Sequence, residues 1–179
     1  MRIKAKDPRL VSLMGEFMRT YLPCVRNRDK DTIDSYRYSI NLFVTYLESE
    51  QKVTVLTMQS SDFSQKNIVG FMAWLKSERK NVATTINHRL SDLRGFCKYL
   101  YKKNALSLDE YEAIREINDV DDDRVIDFTW LSTNDVCLVL KSTDSNREAI
   151  RDRFLLSLLY ESGARINEVL SLKLLDIKP

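Results

Sequence analysis

Arg165 and Glu168 share the segment Tyr160-Glu161-Ser162-Gly163-Ala164-Arg165-Ile166-Asn167-Glu168-Val169-Leu170, with Gly163 just ahead of them. The apolar run from Phe154 to Tyr160, interrupted only by Ser157, predicts a buried helix, and Gly163 is the residue type that ends a helix in a left-handed conformation. Arg165 then begins the next helix. There its guanidinium lies beside free backbone N–H groups and the positive end of a helix dipole, where a phosphate can be held from several directions. Glu168 falls on the same helix face and can reach back to orient the guanidinium or to cap the helix. The chemistry on offer is a positioned cation for an anion. For an isolated RxxE, an ordinary surface ion pair is the competing reading.

The elements that must position this pair are helical. Apolar residues Leu10, Val11, Leu13, Met14, Phe17, Met18, Tyr21 and Leu22 form a broad stripe that predicts a first helix ending at Pro23. Asp31 or Thr32 is expected to cap a second, with the stripe Ile33, Tyr36, Ile40, Phe43, Val44 and Leu47 and an opposite face of Asp34, Arg37, Asn41 and Thr45. Ser61 or Asp62 is expected to cap a third, in which Gly70 marks close helix packing. A fourth helix, from about Ala83 to Lys103, buries Ile86, Leu90, Leu93, Phe96, Cys97, Leu100 and Tyr101 and leaves Asn87, Arg89, Arg94 and Lys98 outward. A short fifth spans Leu108 to Ile117. The acidic stretch Asn118 to Arg124 reads as a linker, and Ser132 is expected to cap the helix that follows Leu131. The resulting organisation is a helical domain over residues 1–117, a linker over 118–130 and a second domain beginning at 131.

Composition sets limits on function. Four Gly and three Pro in 179 residues, with 44% hydrophobic residues, point to a mostly α chain able to build a core. Cys24, Cys97 and Cys137 are odd in number, widely spaced and accompanied only by His88, so neither a disulfide framework nor a zinc site is indicated and buried free thiols are expected. No membrane span or signal-peptide core is present in the sequence, and a reducing cytoplasm is the expected setting. The formal charge is only +2, but residues 1–104 carry 19 Lys and Arg against 10 Asp and Glu, while residues 105–179 carry 9 against 16. Basic charge concentrated in the first region suits a polyanion, with nucleic acid as the leading candidate. Trp74 and Trp130 read as core or linker anchors rather than base-stacking platforms, and a base role for His88 is the weaker reading beside a structural one.

The run Arg151 to Leu170, with Leu172 and Asp176-Ile177, resembles the first catalytic box of the tyrosine recombinase, or phage-integrase, family: an apolar helix, a polar link ending in Gly, then Arg, an aliphatic, Ser or Asn, and Glu. Ala164 stands where a larger aliphatic is more usual. The organisation resembles that family too, over nearly the whole chain. The resemblance implies a four- to five-helix core-binding, SAM-like bundle, a linker, and the first helices of an α+β catalytic domain truncated at residue 179. It further implies that the second and fourth helices face double-stranded DNA, at positions matching Lys30, Thr32, Arg37, Thr84, Asn87, Arg89, Arg94 and Lys98. These are cationic, hydroxyl and amide groups suited first to phosphate oxygens.

Enzymes of the family attack a phosphodiester with a tyrosine oxygen, leaving a 3′-phosphotyrosine that a 5′-hydroxyl resolves, without metal or nucleotide cofactor. Arg165 would be a phosphate clamp and Glu168 its support. The other catalytic residues of the family follow the first arginine, and residues 166–179 hold no Tyr, His, Arg or Trp. The chain is therefore expected to be an N-terminal fragment, inactive in cleavage and monomeric, of a parent that assembles as a tetramer on paired sites. Two other readings are a non-catalytic helical DNA-binding regulator and a helical protein-interaction module.

Overall fold

Asp7 starts the first helix: its carboxylate accepts the Leu10 N–H at 2.9 Å, and Pro8 follows at a position whose N–H would be unpaired in any case. Helix α1 (Pro8–Glu16) runs straight into a π-helical segment, Phe17–Val25, which contains Pro23. Pro23 was expected to end the helix. Instead the turn widens. In α geometry the proline ring would collide with the carbonyl four residues back, whereas the closing bond here, Arg26 N–H to Tyr21 O at 2.9 Å, spans five. The computed structural model describes residues 5–122, 130–142 and 147–176 and divides the chain into two units, Met1–Arg124 and Val125–Pro179. Of the expected linker, residues 123–129 lie outside the described residues, as does Ile177 of the arginine box.

Helix α2 (Lys30–Gln51) is capped by Asp29 rather than by Asp31 or Thr32; the Asp29 carboxylate accepts the Thr32 N–H at 2.7 Å. That bond, with the neighbouring Thr32 hydroxyl, holds the Asp29 carboxyl below its ordinary value. Ser60–Asp62 forms a separate 3₁₀ turn, so α3 (Gln65–Ser77) starts later than expected, on Ser64, whose hydroxyl accepts from Asn67 N–H. Helix α4 spans Ala83–Lys102, and α5 (Leu108–Arg115) begins on Ser107.

These helices close on one core. Leu10, Phe17, Ile40, Phe43, Leu47, Phe63, Ile68, Phe71, Leu75, Leu93, Phe96, Leu100 and Ile114 are all at most 1% exposed. Phe63 links the two halves, its ring centroid 5.1 Å from both Phe43 and Phe96, and Phe17 meets Phe96 at 5.0 Å. Gly70 allows α3 to approach α2, since a Cβ there would collide with the Tyr46 hydroxyl oxygen. Trp74 packs against this core, as expected of an anchor. Of the three thiols expected to be buried, only Cys97 is; Cys24 and Cys137 are exposed because neither belongs to the stripe that faces the core.

In the second unit, α6 (Thr133–Ser142) opens on a reciprocal cap in which Ser132 Oγ accepts the Asp135 N–H at 3.2 Å and the Asp135 carboxylate accepts the Ser132 N–H at 2.8 Å. Hydrogen bonds from the Ser132 side chain and backbone hold the Asp135 carboxyl below its usual range. Helix α7 (Arg147–Ser162) contains the apolar run, but it is not the buried helix predicted: Phe154 is 63% and Tyr160 50% exposed. Ala149 and Val169 are the buried apolar residues among those described in this unit, because its short helices cover too little of one another's surface. Trp130, expected to be a core or linker anchor, is 85% exposed. No strand occurs among the described residues.

Candidate functional site

Gly163 has φ +62°, the left-handed conformation expected of it, and its N–H reaches Leu159 O at 3.0 Å. Arg165 then takes an extended backbone as the residue before α8 (Ile166–Leu170). Glu168 does both things open to it at once. One carboxylate oxygen accepts the Arg165 backbone N–H at 2.9 Å, and the other accepts from the Arg165 guanidinium at 3.0 Å. The result is a cap and a tether in one side chain: the N–H bond fixes where α8 starts, and the guanidinium bond fixes where the cation points. The Arg165 side chain remains 86% exposed, so most of its donor capacity faces outward.

The positions expected to face DNA fall into two groups. Lys30 is exposed at the first turn of α2, Arg37 is exposed about two turns on and paired with Asp34, Lys98 is exposed on α4, and Thr84 is exposed at the start of α4. Thr32 is half-buried, with its backbone N–H engaged by Asp29.

Asn87, Arg89 and Arg94 correct the expectation of outward side chains. Asn87 is half-buried and pairs reciprocally with the backbone of Val120, donating to its carbonyl at 2.8 Å and accepting its N–H at 2.7 Å. Arg94, 27% exposed, bonds the Ile117 carbonyl and the Asp119 carboxylate, the latter at 2.9 Å. Ile117 and residues 118–120, the first part of the expected linker, are thereby lashed along α4. The physical reason is that a chain leaving α5 carries free carbonyls and N–H groups, and α4 offers an amide and a guanidinium at the spacing needed to satisfy them.

Arg89 is turned inward as well. Its guanidinium donates to Ser39 Oγ at 3.1 Å and lies over the Tyr38 ring at 4.6 Å. Beside it sits Asp92, whose side chain is 9% exposed and accepts from Ser35 Oγ at 3.0 Å and Ser39 Oγ at 2.5 Å. Arg89 Nη1 is 3.9 Å from the same carboxylate oxygen, and His88, at the solvent edge, is 3.6 Å from it. This cluster ties α2 to α4. Its sequence signal is present in retrospect: Arg89-x-x-Asp92 on one helix and Ser35-x-x-x-Ser39 on the other place polar groups at helical spacing within otherwise apolar faces.

Among the described residues, no group of His, Cys, Asp and Glu is arranged to hold a metal ion, and no helix is long and apolar enough to cross a membrane.

Residues 16–104, which include α2, α3 and α4, match the phage integrase N-terminal SAM-like domain. Curated relatives extend the likeness across the second unit. The chain is 28% identical over 167 residues to a chain named as a tyrosine recombinase in Caldanaerobacter subterraneus subsp. tengcongensis, covering 93% of this chain and 53% of that one. It is 27% identical over 166 residues to tyrosine recombinase XerD of Listeria monocytogenes serotype 4b, covering 92% and 52%. With tyrosine recombinase XerC of Roseiflexus sp. it shares 29% identity over 161 residues, covering 90% and 49%. The chain thus spans about half the length of the curated relatives it matches. No solved structure matches it. A match to the phage integrase SAM-like domain, with recombinase relatives covering about nine-tenths of its length, makes this chain a member of the tyrosine recombinase family.

Proposed function

We propose that the helical unit binds double-stranded DNA through the exposed side of α2 and α4, and that Arg165 clamps a phosphate in a site-specific recombinase or integrase. Lys30, Thr32, Arg37, Thr84 and Lys98 supply phosphate contacts, while Asn87, Arg89 and Arg94 hold the contacting face in shape. The observation that carries the reading is the pair of hydrogen bonds that Arg165 donates to the Glu168 carboxylate, which fixes a guanidinium two residues after a left-handed glycine.

In the whole protein a tyrosine oxygen attacks the phosphorus and displaces a 5′-hydroxyl, leaving a 3′-phosphotyrosine. A 5′-hydroxyl from another strand then attacks that phosphorus and releases the tyrosine. The phosphodiester energy is conserved in the covalent intermediate, so the step draws on no metal or nucleotide cofactor. Arg165 stabilises the charge on the equatorial oxygens, and Glu168 keeps the guanidinium oriented for it. The whole protein acts as a tetramer on paired sites in the cytoplasm, whereas the 179-residue chain is monomeric and binds without cleaving.

Titrating duplex DNA with the 179-residue chain at increasing salt tests the DNA reading. Contact with about six to ten phosphates lowers affinity by about a thousandfold or more between about 50 and 200 mM salt. A flat response refutes it. Nicking of supercoiled plasmid by the same chain refutes the division of labour between Arg165 and the rest of the catalytic set.

A further inference from the structure

Arg26, Arg28, Lys98 and Lys102 come together around a pocket of about 90 Å³ between the π-helical segment, α2 and α4, with Tyr36 and Gly95 in its wall. That is room for about three waters, the scale of one tetrahedral oxyanion rather than of a nucleoside. The widened turn containing Pro23 delivers Arg26 and Arg28 to the start of α2, and Lys98 and Lys102 follow one another at a spacing of one turn on α4. Gly95 lets the Tyr36 ring lie against α4, since a Cβ there would stand 2.6 Å from the Tyr36 hydroxyl oxygen. Burial, and then the charge of Asp92, raise the Tyr36 phenol above its ordinary value, which keeps the hydroxyl a donor.

The four cations differ from the arginines nearby. Arg37 is paired with Asp34, Arg94 with Asp119, and Arg89 is held by Ser39 beside Asp92. The side chains of Arg26, Arg28, Lys98 and Lys102 have no ion pair or hydrogen bond to a described residue, and no carboxylate lines the pocket. Asp29 feels the charge of Arg28, but its carboxylate is committed to the Thr32 N–H. Four cations without a partner among the described residues, set around one polar recess, repel each other and lower their energy by taking up an anion. Lys98 also belongs to the proposed DNA face, so the recess opens onto the same surface.

We propose that this pocket seats a backbone phosphate of DNA, with Arg26, Arg28, Lys98 and Lys102 supplying the charge and the Tyr36 hydroxyl a directed hydrogen bond. The inference rests on the DNA-binding reading above and adds residues that the α2 and α4 faces alone do not include.

The test measures anisotropy of a fluorescein-labelled duplex with the 179-residue chain across a salt series. The paired variant Arg28→Gln/Lys98→Gln is set against Lys66→Gln/Lys76→Gln on α3, and both are checked for an unchanged thermal melt. Losing two phosphate-directed charges lowers the salt slope by about 2, which is roughly a hundredfold loss of affinity at about 100 mM salt relative to 1 M. Tyr36→Phe removes a neutral donor, so affinity falls by about tenfold with the slope unchanged. Equal losses from the two lysine and arginine pairs, or no loss from the pocket pair while the unaltered chain binds, overturn the pocket and leave DNA binding intact. Failure of the unaltered chain to bind duplex overturns the DNA reading itself. A shift of the Gly95 amide resonance with inorganic phosphate, without duplex binding, overturns DNA as the source of the phosphate.

Discussion

Replacing Asp92 with Ala removes the acceptor on which two helices converge. The carboxylate is 9% exposed and takes the hydroxyl protons of Ser35 and Ser39 from α2, while Arg89 Nη1 stands 3.9 Å away on α4. A hydrogen bond to a buried charge is worth about 1.5–3 kcal/mol, and breaking a buried pair from one side costs about 3–5 kcal/mol because the other charge is left behind. Both figures need reducing. The Arg89 side chain is 19% exposed and keeps its bond to Ser39, and the freed serine hydroxyls can turn to helix carbonyls. The expected cost is about 2–4 kcal/mol, or about 8–15 °C in Tm for a unit of this size. The assay is urea and thermal unfolding followed by Trp74 fluorescence in a Trp130→Phe background, so that the reporter lies in the helical unit. Arg89→Met in the same background supplies the double-mutant cycle: with the charge gone from both sides, part of the loss is recovered, giving a coupling of about 1 kcal/mol or more. A loss under about 0.5 kcal/mol for Asp92→Ala, or strictly additive losses in the cycle, refutes the account of the cluster as a buried, mutually dependent network.

Cys24 and Cys137 are exposed and should react with a thiol reagent in the folded chain, while burial pushes the Cys97 thiol far above its ordinary pKa, so Cys97 should react only on unfolding; two fast equivalents and one slow one are expected. Gly95→Ala, which gains about 1 kcal/mol in an exposed helix, should instead destabilise by about 1 kcal/mol because the new methyl meets the Tyr36 hydroxyl, and chemical denaturation gives the sign directly. Asp7 has its carboxyl lowered chiefly by the Leu10 N–H and further by the Ser60 hydroxyl and N–H. Its folded form therefore favours the carboxylate, and its contribution is fully present above the unfolded pKa and lost as pH falls through the folded one. The stability gap between the unaltered chain and Asp7→Asn should accordingly narrow from about pH 5 to about pH 2.

The helices were legible because their apolar positions repeat at helical spacing: Ile40, Phe43, Val44 and Leu47 of the predicted stripe are all buried, and Asn41 and Thr45 opposite them are exposed. The Gly163, Arg165 and Glu168 turn was legible for the same local reason, since a glycine conformation and a three-residue reach are set by the chain itself. What the sequence did not disclose was decided between elements. Asn87 and Arg94 look like surface donors on a helical wheel, and only the return path of residues 117–120 shows that they are occupied. Pro23 reads as a stop unless the possibility of a widened turn is weighed, and α7 reads as buried although periodicity says only which residues are apolar, never what covers them.

The difference between a charge and an available charge also decides how Arg165 is understood. Glu168 fixes its direction, but at 86% exposure the guanidinium sits in water, where a pair of unit charges about 4 Å apart is worth about 1 kcal/mol against about 4 kcal/mol in a partly buried setting. Orientation is therefore local to the turn, while strength is not: it depends on whatever excludes water from the guanidinium's outer edge. In the proposed complex a docked duplex would do so by its own bulk, and further protein surface would do so from the other side. Substituting Glu168 with Gln separates the two contributions. The amide oxygen can still cap the Arg165 N–H, so α8 should keep its start, but the NH2 group that replaces the other oxygen cannot accept from the guanidinium, so that bond is lost and the guanidinium gains freedom. Helix content by circular dichroism should be unchanged, while NMR relaxation at Arg165 Nε should report faster motion. Unchanged side-chain order would refute the carboxylate as the element that orients this cation.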